Sequence, residues 1–161
     1  MEDYDLMYGR ADYHNKIVLD VGADWGSTAL FFLSRGARQV ISVECNPELV
    51  EQLRKTAENK PIIALGMKVR SIGDWEHLIN TYNPDIIKSD CEGCEESLLT
   101  INDGIFRKVR EYVIEAHGKG IIIAFKEKFE RLKYRIADIY TYMGDAATIF
   151  YAVRIDELQD H

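Results

Sequence analysis

The sequence predicts an open, mostly parallel α/β sheet that ends in an antiparallel hairpin. Strand-like and helix-like stretches alternate almost to the end of the 161 residues, the pattern of a layered α/β domain. The strands are short, continuous apolar runs. Lys16-Ile-Val-Leu-Asp-Val21 is the clearest, as expected of a parallel strand buried on both faces. That run leads through Gly22-Ala-Asp-Trp-Gly26 into a helix, and ligands of open α/β sheets gather at such strand ends.

The elements follow in order. After the first strand, Thr28 to Arg35 reads as a helix stopped by Gly36. Gln39 to Val43 is the second strand. Asn46 then caps a helix that has Pro47 at its first position and Leu49, Val50, Leu53 and Ala57 on its buried stripe. A third strand lies between Ile62 and Ser71. Asp74 reads as the N-cap of a helix over Trp75 to Tyr82. Pro84 precedes the fourth strand, Asp85 to Ser89, and Glu95 to Ile101 is a short helix ended near Gly104. Glu111 to Glu115 is the fifth strand. Phe125, Phe129, Leu132 and Ile136 fall on one face of the next helix. Alternating charges from Lys126 to Arg135 read as its solvated face. Ile139 to Tyr142, the turn Met143-Gly144-Asp145, and Thr148 to Ile155 form the hairpin. The first dozen residues and Leu158 to His161 read as mobile ends.

Composition narrows the function classes. A net charge of −7 and a pI near 5.1 disfavour a general nucleic-acid surface. No run approaches the roughly 18 apolar residues of a membrane helix. Met1 to Tyr13 is acidic and aromatic rather than a signal peptide. Cys45, Cys91 and Cys94 are an odd, small set that reads as reduced thiols, hence a cytoplasmic protein.

The glycine turn also bears on its ligand. A pyrophosphate loop needs glycines at G-x-G-x-x-G and no negative charge nearby. Counting from Gly22, the next two of those positions hold Asp24 and Ser27, and Asp20 closes the strand. Acids suit a cation. S-adenosylmethionine, which carries a sulfonium and an ammonium and no phosphate, fits better than NAD, and a ligand-free strand and turn is the remaining alternative. Glu44 ends the second strand 24 residues after Asp20, near the spacing at which an acid meets ribose hydroxyls. Asp74 could accept from the adenine amine with Trp75 or Ile72 packed on the ring, although an N-cap role explains Asp74 equally well.

These segments resemble the class I S-adenosylmethionine-dependent methyltransferases, and more narrowly the FkbM type. The matching runs are Asp20-Val-Gly-Ala-Asp-Trp-Gly26, Val43-Glu-Cys-Asn-Pro47, Asp85-Ile-Ile-Lys-Ser-Asp-Cys-Glu-Gly93 and Ile114-Glu-Ala-His117. The resemblance implies a Rossmann-like, seven-stranded, mostly parallel sheet over residues 16–157. Residues 1–15 precede it as a candidate lid with Tyr4, Tyr8 and Tyr13 as its aromatics. It implies cofactor contacts from Asp20, Gly22, Asp24, Gly26, Ser27, Glu44, Asn46, Asp74 and Trp75. Asp90 would face the transferable methyl, within a polar wall of Glu92, Glu95, Glu115 and His117. Asp90 or His117 is the candidate base for a hydroxyl acceptor and Glu92 a structural or substrate-orienting group. His117 reads equally as a hydrogen-bonded strand-end histidine.

Other signals carry less. Cys91-Glu-Gly-Cys94 has C-x-x-C spacing but follows the fourth strand, not the first helix of a thioredoxin-like unit. A closed zinc site would need a histidine or acid besides the cysteines, and no metal is assigned. The sequence therefore predicts methyl transfer from S-adenosylmethionine to the hydroxyl of a small molecule or sugar. The alternative is a cofactor-binding module completed by a partner subunit or a second copy.

Overall fold

The computed structural model describes residues 3–142, 144 and 147–156. The predicted hairpin turn at Met143 and Asp145, and the C-terminal end from Glu157 onward, lie outside the described residues. Seven strands form one sheet in the order β3-β2-β1-β4-β5-β7-β6. Strands β1 (Ile17–Val21), β2 (Gln39–Glu44), β3 (Ile62–Gly66), β4 (Ile86–Ser89) and β5 (Glu111–His117) run parallel. Strand β7 (Ala147–Arg154) is antiparallel to both β5 and β6 (Tyr134–Tyr142). The strand order reverses between β1 and β4, and a crevice opens at such a switch point beyond the carboxyl ends of the strands.

Alternation along the strands sends neighbouring residues to opposite faces. Leu19, Ile41, Ile87 and Ile114 pack with helices α4 (Ile72–Tyr82), α5 (Glu95–Leu99), α6 (Asp103–Phe106) and α7 (Lys119–Arg131). Val18, Val40, Ile86 and Val113 pack on the other face against α1 (Tyr4–Tyr8) and α2 (Ser27–Ser34). Ala57 of α3 (Pro47–Ala57) joins this second cluster. Among the described residues no helix is long and apolar enough to cross a membrane.

Several boundaries differ from the expectation, each for a local reason. Helix α4 begins at Ile72. Ser71 is its N-cap, and Asp74 sits at the third helical position, closing a capping box with the Ser71 backbone. Asp74 is therefore not the cap itself. Strand β4 runs from Ile86, and Asp85 just before it ties the strand to β1, its carboxylate accepting from the Ile17 N–H at 2.8 Å. Helix α7 stops at Arg131. Lys133 adopts φ 63°, a left-handed conformation that ends a helix, and Ile136 lies on β6. Lys128 is buried rather than solvated, its Nζ donating to the carbonyls of Leu99 at 2.6 Å and Ile101 at 3.0 Å. Those carbonyls lie where the predicted helix Glu95 to Ile101 gives way, before α6, to a separate turn.

The described N-terminal residues are built into the body. Tyr8 and Tyr13 are buried, Tyr13 stacks on Phe32 at 4.8 Å, and its hydroxyl donates to the Tyr8 carbonyl. The Asp12 N–H donates to buried Glu111, 99 residues away, at 3.3 Å. A mobile start is thus corrected from Asp3 onward.

Candidate active site

A cavity of about 350 Å³ opens at the switch point, lined by Val21, Gly22, Val43, Glu44, Met67, Lys68, Val69 and the loop Asp90 to Glu92 with Cys45 and Cys94. Its size suits a small-molecule site. Of the residues predicted to contact a cofactor, Gly22 and Glu44 line it. Of the predicted acceptor-side residues, Asp90 and Glu92 do.

The turn after β1 is held from both sides. A Cβ on Gly22, where φ is +86°, would meet the Asp90 carbonyl oxygen at 1.9 Å. Gly22 is therefore required by the end of β4, in addition to any ligand. Gly26, at φ +106°, is pressed by Thr56 of α3, 2.8 Å from where its Cβ would lie. Collision with protein, not with a ligand, accounts for this second glycine.

Glu44 clamps the turn to β2. Its Oε1 accepts from the Asp24 N–H at 2.8 Å, and its Oε2 from the N–H groups of Cys45 and Asn46 at 2.8 and 2.9 Å. A carboxylate has about four acceptor positions, so Oε1 retains capacity for a ligand hydroxyl while Oε2 is used up. Two ribose hydroxyls cannot both be served without a backbone bond giving way.

Other predicted cofactor residues do different work. Asp20 is fully buried beneath the turn, facing Lys88 Nζ at 3.1 Å and accepting from the Thr28 hydroxyl at 2.5 Å. It shapes the loop from below, and the expected direct contact is corrected. Trp75 is also fully buried, its indole N–H donating to Ser97 Oγ at 3.0 Å and to the Cys94 carbonyl at 3.2 Å. Its ring belongs to the core and cannot stack on a base in the cavity. Asp74 accepts from the N–H groups of Arg70 and Ser71, and these bonds hold its carboxyl below the usual carboxylate range despite some desolvation. Asp24 Oδ1 accepts from the Trp25 N–H, Asn46 Oδ1 caps α3, and Ser27 Oγ meets the Tyr4 hydroxyl at 2.8 Å. These three flank the turn outside the cavity lining.

Lys88 is the residue that sequence reasoning missed. It is 1% exposed, donates to the Gly22 carbonyl at 2.8 Å and lies opposite Asp20 in the β1–β4 register. Burial opposes its charge, but Asp20 and Asp90 outweigh that and raise its pKa above the ordinary lysine value. The signal was available: a lysine inside a strand buried on both faces requires a carboxylate partner. Met67, Lys68 and Val69, beyond the end of β3, had no such signal.

The predicted acceptor side is built from side-chain pairs. Glu95 is 3% exposed; its Oε1 meets His117 Nδ1 at 3.1 Å and its Oε2 accepts from the Gly93 N–H at 3.2 Å. His117 Nε2 lies 3.9 Å from Glu115. His117 is half-buried at the end of β5, outside the cavity lining. Cys91 and Cys94 are joined as a disulfide, their Cα atoms 5.7 Å apart. The one-turn loop brings them within the usual disulfide span, correcting the expectation of separate thiols there. Cys45 is free and exposed.

Comparison with known proteins gives the arrangement a context. No family model matches the chain. The chain is 33% identical over 144 residues to uncharacterized protein 65 of Sulfolobus islandicus filamentous virus, covering 89% of this chain and 82% of that one. The chain belongs to the same family as that viral protein. Among solved structures it resembles the precorrin-6y C5,15-methyltransferase of Geobacter metallireducens GS-15 with a TM-score of 0.62, at 16% identity over 91% of this chain and 82% of the other. It also resembles Aeropyrum pernix fibrillarin, solved with natively bound S-adenosyl-L-methionine, with a TM-score of 0.61 at 18% identity over 87% and 67%. The fold is therefore that of the class I S-adenosylmethionine-dependent methyltransferases.

Proposed function

We propose that the chain is an S-adenosylmethionine-dependent methyltransferase that acts on a hydroxyl of a small molecule or sugar. The observation that carries this reading is the cavity at the β1–β4 switch point, which joins apolar walls to acids. Val21, Val43, Met67 and Val69 offer surface for a base, and Glu44 retains an acceptor position on Oε1. Glu44, Asp90 and Glu92 share the lining with Lys68, its single basic residue. That balance favours a cationic cofactor over a pyrophosphate and disfavours a phosphodiester acceptor.

When bound, S-adenosylmethionine supplies a methyl group on a sulfonium, open to in-line displacement. The protein's own part is to hold the turn rigid through Glu44 and Lys88 and to present Asp90 to the incoming acceptor. Asp90 is the candidate base, since it lines the cavity. His117 supports the wall by holding Glu95. The run from Ile87 to Gly93 supports the narrower likeness to the FkbM type.

A second reading is favoured by one observation. Among the described residues, none of 3–15 lines the cavity, and Tyr8 and Tyr13 are buried elsewhere. The acceptor side is then covered by a partner subunit or a second copy, and the isolated chain binds cofactor without turning over.

Titration calorimetry tests both. Micromolar binding of S-adenosylhomocysteine and S-adenosylmethionine, with none of NADH, is expected. NADH binding instead would overturn the cofactor assignment. Adenosyl binding without methyl transfer to any hydroxylated acceptor, restored by a co-purified partner, would select the second reading.

A further inference from the structure

We infer that Cys91, Cys94 and Glu95, with the cysteine pair reduced, form a binding site for a zinc-class divalent ion on the acceptor side of the cavity. Among the described residues these three each offer one donor atom, all within 4.8 Å of one another. Around one ion at about 2.3 Å to sulfur and 2.0–2.2 Å to oxygen the ligand atoms stand about 3.6–3.8 Å apart, so the two sulfurs separate to that distance on reduction, within the reach of side chains whose Cα atoms lie 5.7 Å apart. The C-x-x-C spacing alone lacked a further ligand, and the fold supplies it from the first residue of α5.

Each donor is also supported from behind. His117 Nδ1 holds one oxygen of Glu95 at 3.1 Å and the Gly93 N–H holds the other at 3.2 Å. Ser89 Oγ lies 3.3 Å from Cys91 Sγ and 3.6 Å from Cys94 Sγ, placed to donate to either sulfur. Such outer contacts fix the ligand orientation in metal sites. Gly93 turns at φ +88° with open space where its Cβ would point, so the loop wraps without hindrance.

The structure shows the pair bridged, so the site is made by reduction. A dithiol reductant delivers two electrons and two protons to the Cys91–Cys94 bond and becomes a disulfide itself. Ion binding then displaces both thiol protons. Three protein ligands leave a fourth position for an exogenous group, the pattern of reactive rather than structural zinc sites. Cys91 and Cys94 line the cavity beside Asp90 and Glu92, so that position opens where the acceptor arrives. Only this last step rests on the methyltransferase reading; ion binding does not.

Cobalt(II) titration of the phosphine-reduced whole chain under argon tests the site without any cofactor. One equivalent should bind with thiolate-to-cobalt charge-transfer absorption, and zinc should abolish that absorption. Cys91→Ser should weaken binding at least tenfold, and His117→Ala by about 10–100-fold through Glu95. Cys45→Ser should leave the spectrum unchanged. The inference is overturned if reduction exposes two further titratable thiols yet no charge-transfer band appears, or if Cys45→Ser removes the band. Cys94 and Glu95 are buried and their variants risk misfolding, so the wild-type titration and the half-buried Cys91 decide the matter. Loss of adenosyl binding with cobalt binding intact would break the proposed function and leave this site standing.

Discussion

On the β1–β2 side of the cavity, the Glu44 carboxylate is held by the backbone N–H groups of Asp24, Cys45 and Asn46. On the β4–β5 side, the Glu95 carboxylate is held partly by the side chain of His117, 22 residues away. One half is assembled by main chain that any sequence supplies once the turn forms. The other depends on particular side chains meeting across elements. The first should tolerate change except at its glycines, at Glu44 and at the buried Asp20–Lys88 pair beneath it, while the second is free to carry a chemistry of its own.

Lys88 belongs to both halves, so its loss has the largest expected effect. Lys88→Met leaves Asp20 buried without its partner and should cost about 3–5 kcal/mol of stability. Urea unfolding measures it, and adding Asp20→Leu should recover most of the loss. Equal destabilisation in the double variant would show that the charge pair does not organise the turn. Gly22→Ala forces a side chain onto the Asp90 carbonyl at positive φ and should cost about 2–3 kcal/mol. It should also abolish adenosyl binding by calorimetry; binding at wild-type strength would separate the turn from the site.

Glu44→Gln should lower stability by roughly 1–2 kcal/mol, since the amide nitrogen cannot accept and leaves at least one of the three backbone N–H groups unpaired. Cofactor affinity should fall at least tenfold while the acceptor KM stays put. His117→Ala has the smallest effect on folding, about 1 kcal/mol from the partly released Glu95. It should raise the acceptor KM and leave cofactor affinity unchanged. If Glu44→Gln moved the acceptor KM as strongly as His117→Ala, the two halves would not be independent.

The same division explains what the sequence disclosed. The succession of strands and helices along the chain, the glycine turn, Glu44 and the Asn46 cap are local patterns, readable from a few neighbouring residues. Helix ends went wrong where a single residue decided them, as with the Ser71 capping box or Lys133 at positive φ. Asp20 and Trp75 were assigned to the ligand because their position beside the site is visible in sequence, whereas their burial is not. The Glu95–His117 pair and the ring of Met67, Lys68 and Val69 depend on how distant elements are juxtaposed. The lysine in β4 was legible in principle, once burial of both sheet faces was taken as a constraint on charge.

The contact between Gly22 and the Asp90 carbonyl has a further consequence. With no side chain between them, and with Lys88 tying the Gly22 carbonyl to β4 at 2.8 Å, the two loops lean on one another as a single hinge-free joint. A ligand that shifts one loop must work against the other, and the expected consequence is a coupling free energy between the proposed cofactor and acceptor sites. That coupling is reciprocal: whatever tightening the cofactor confers on the acceptor, the acceptor returns to the cofactor by the same factor.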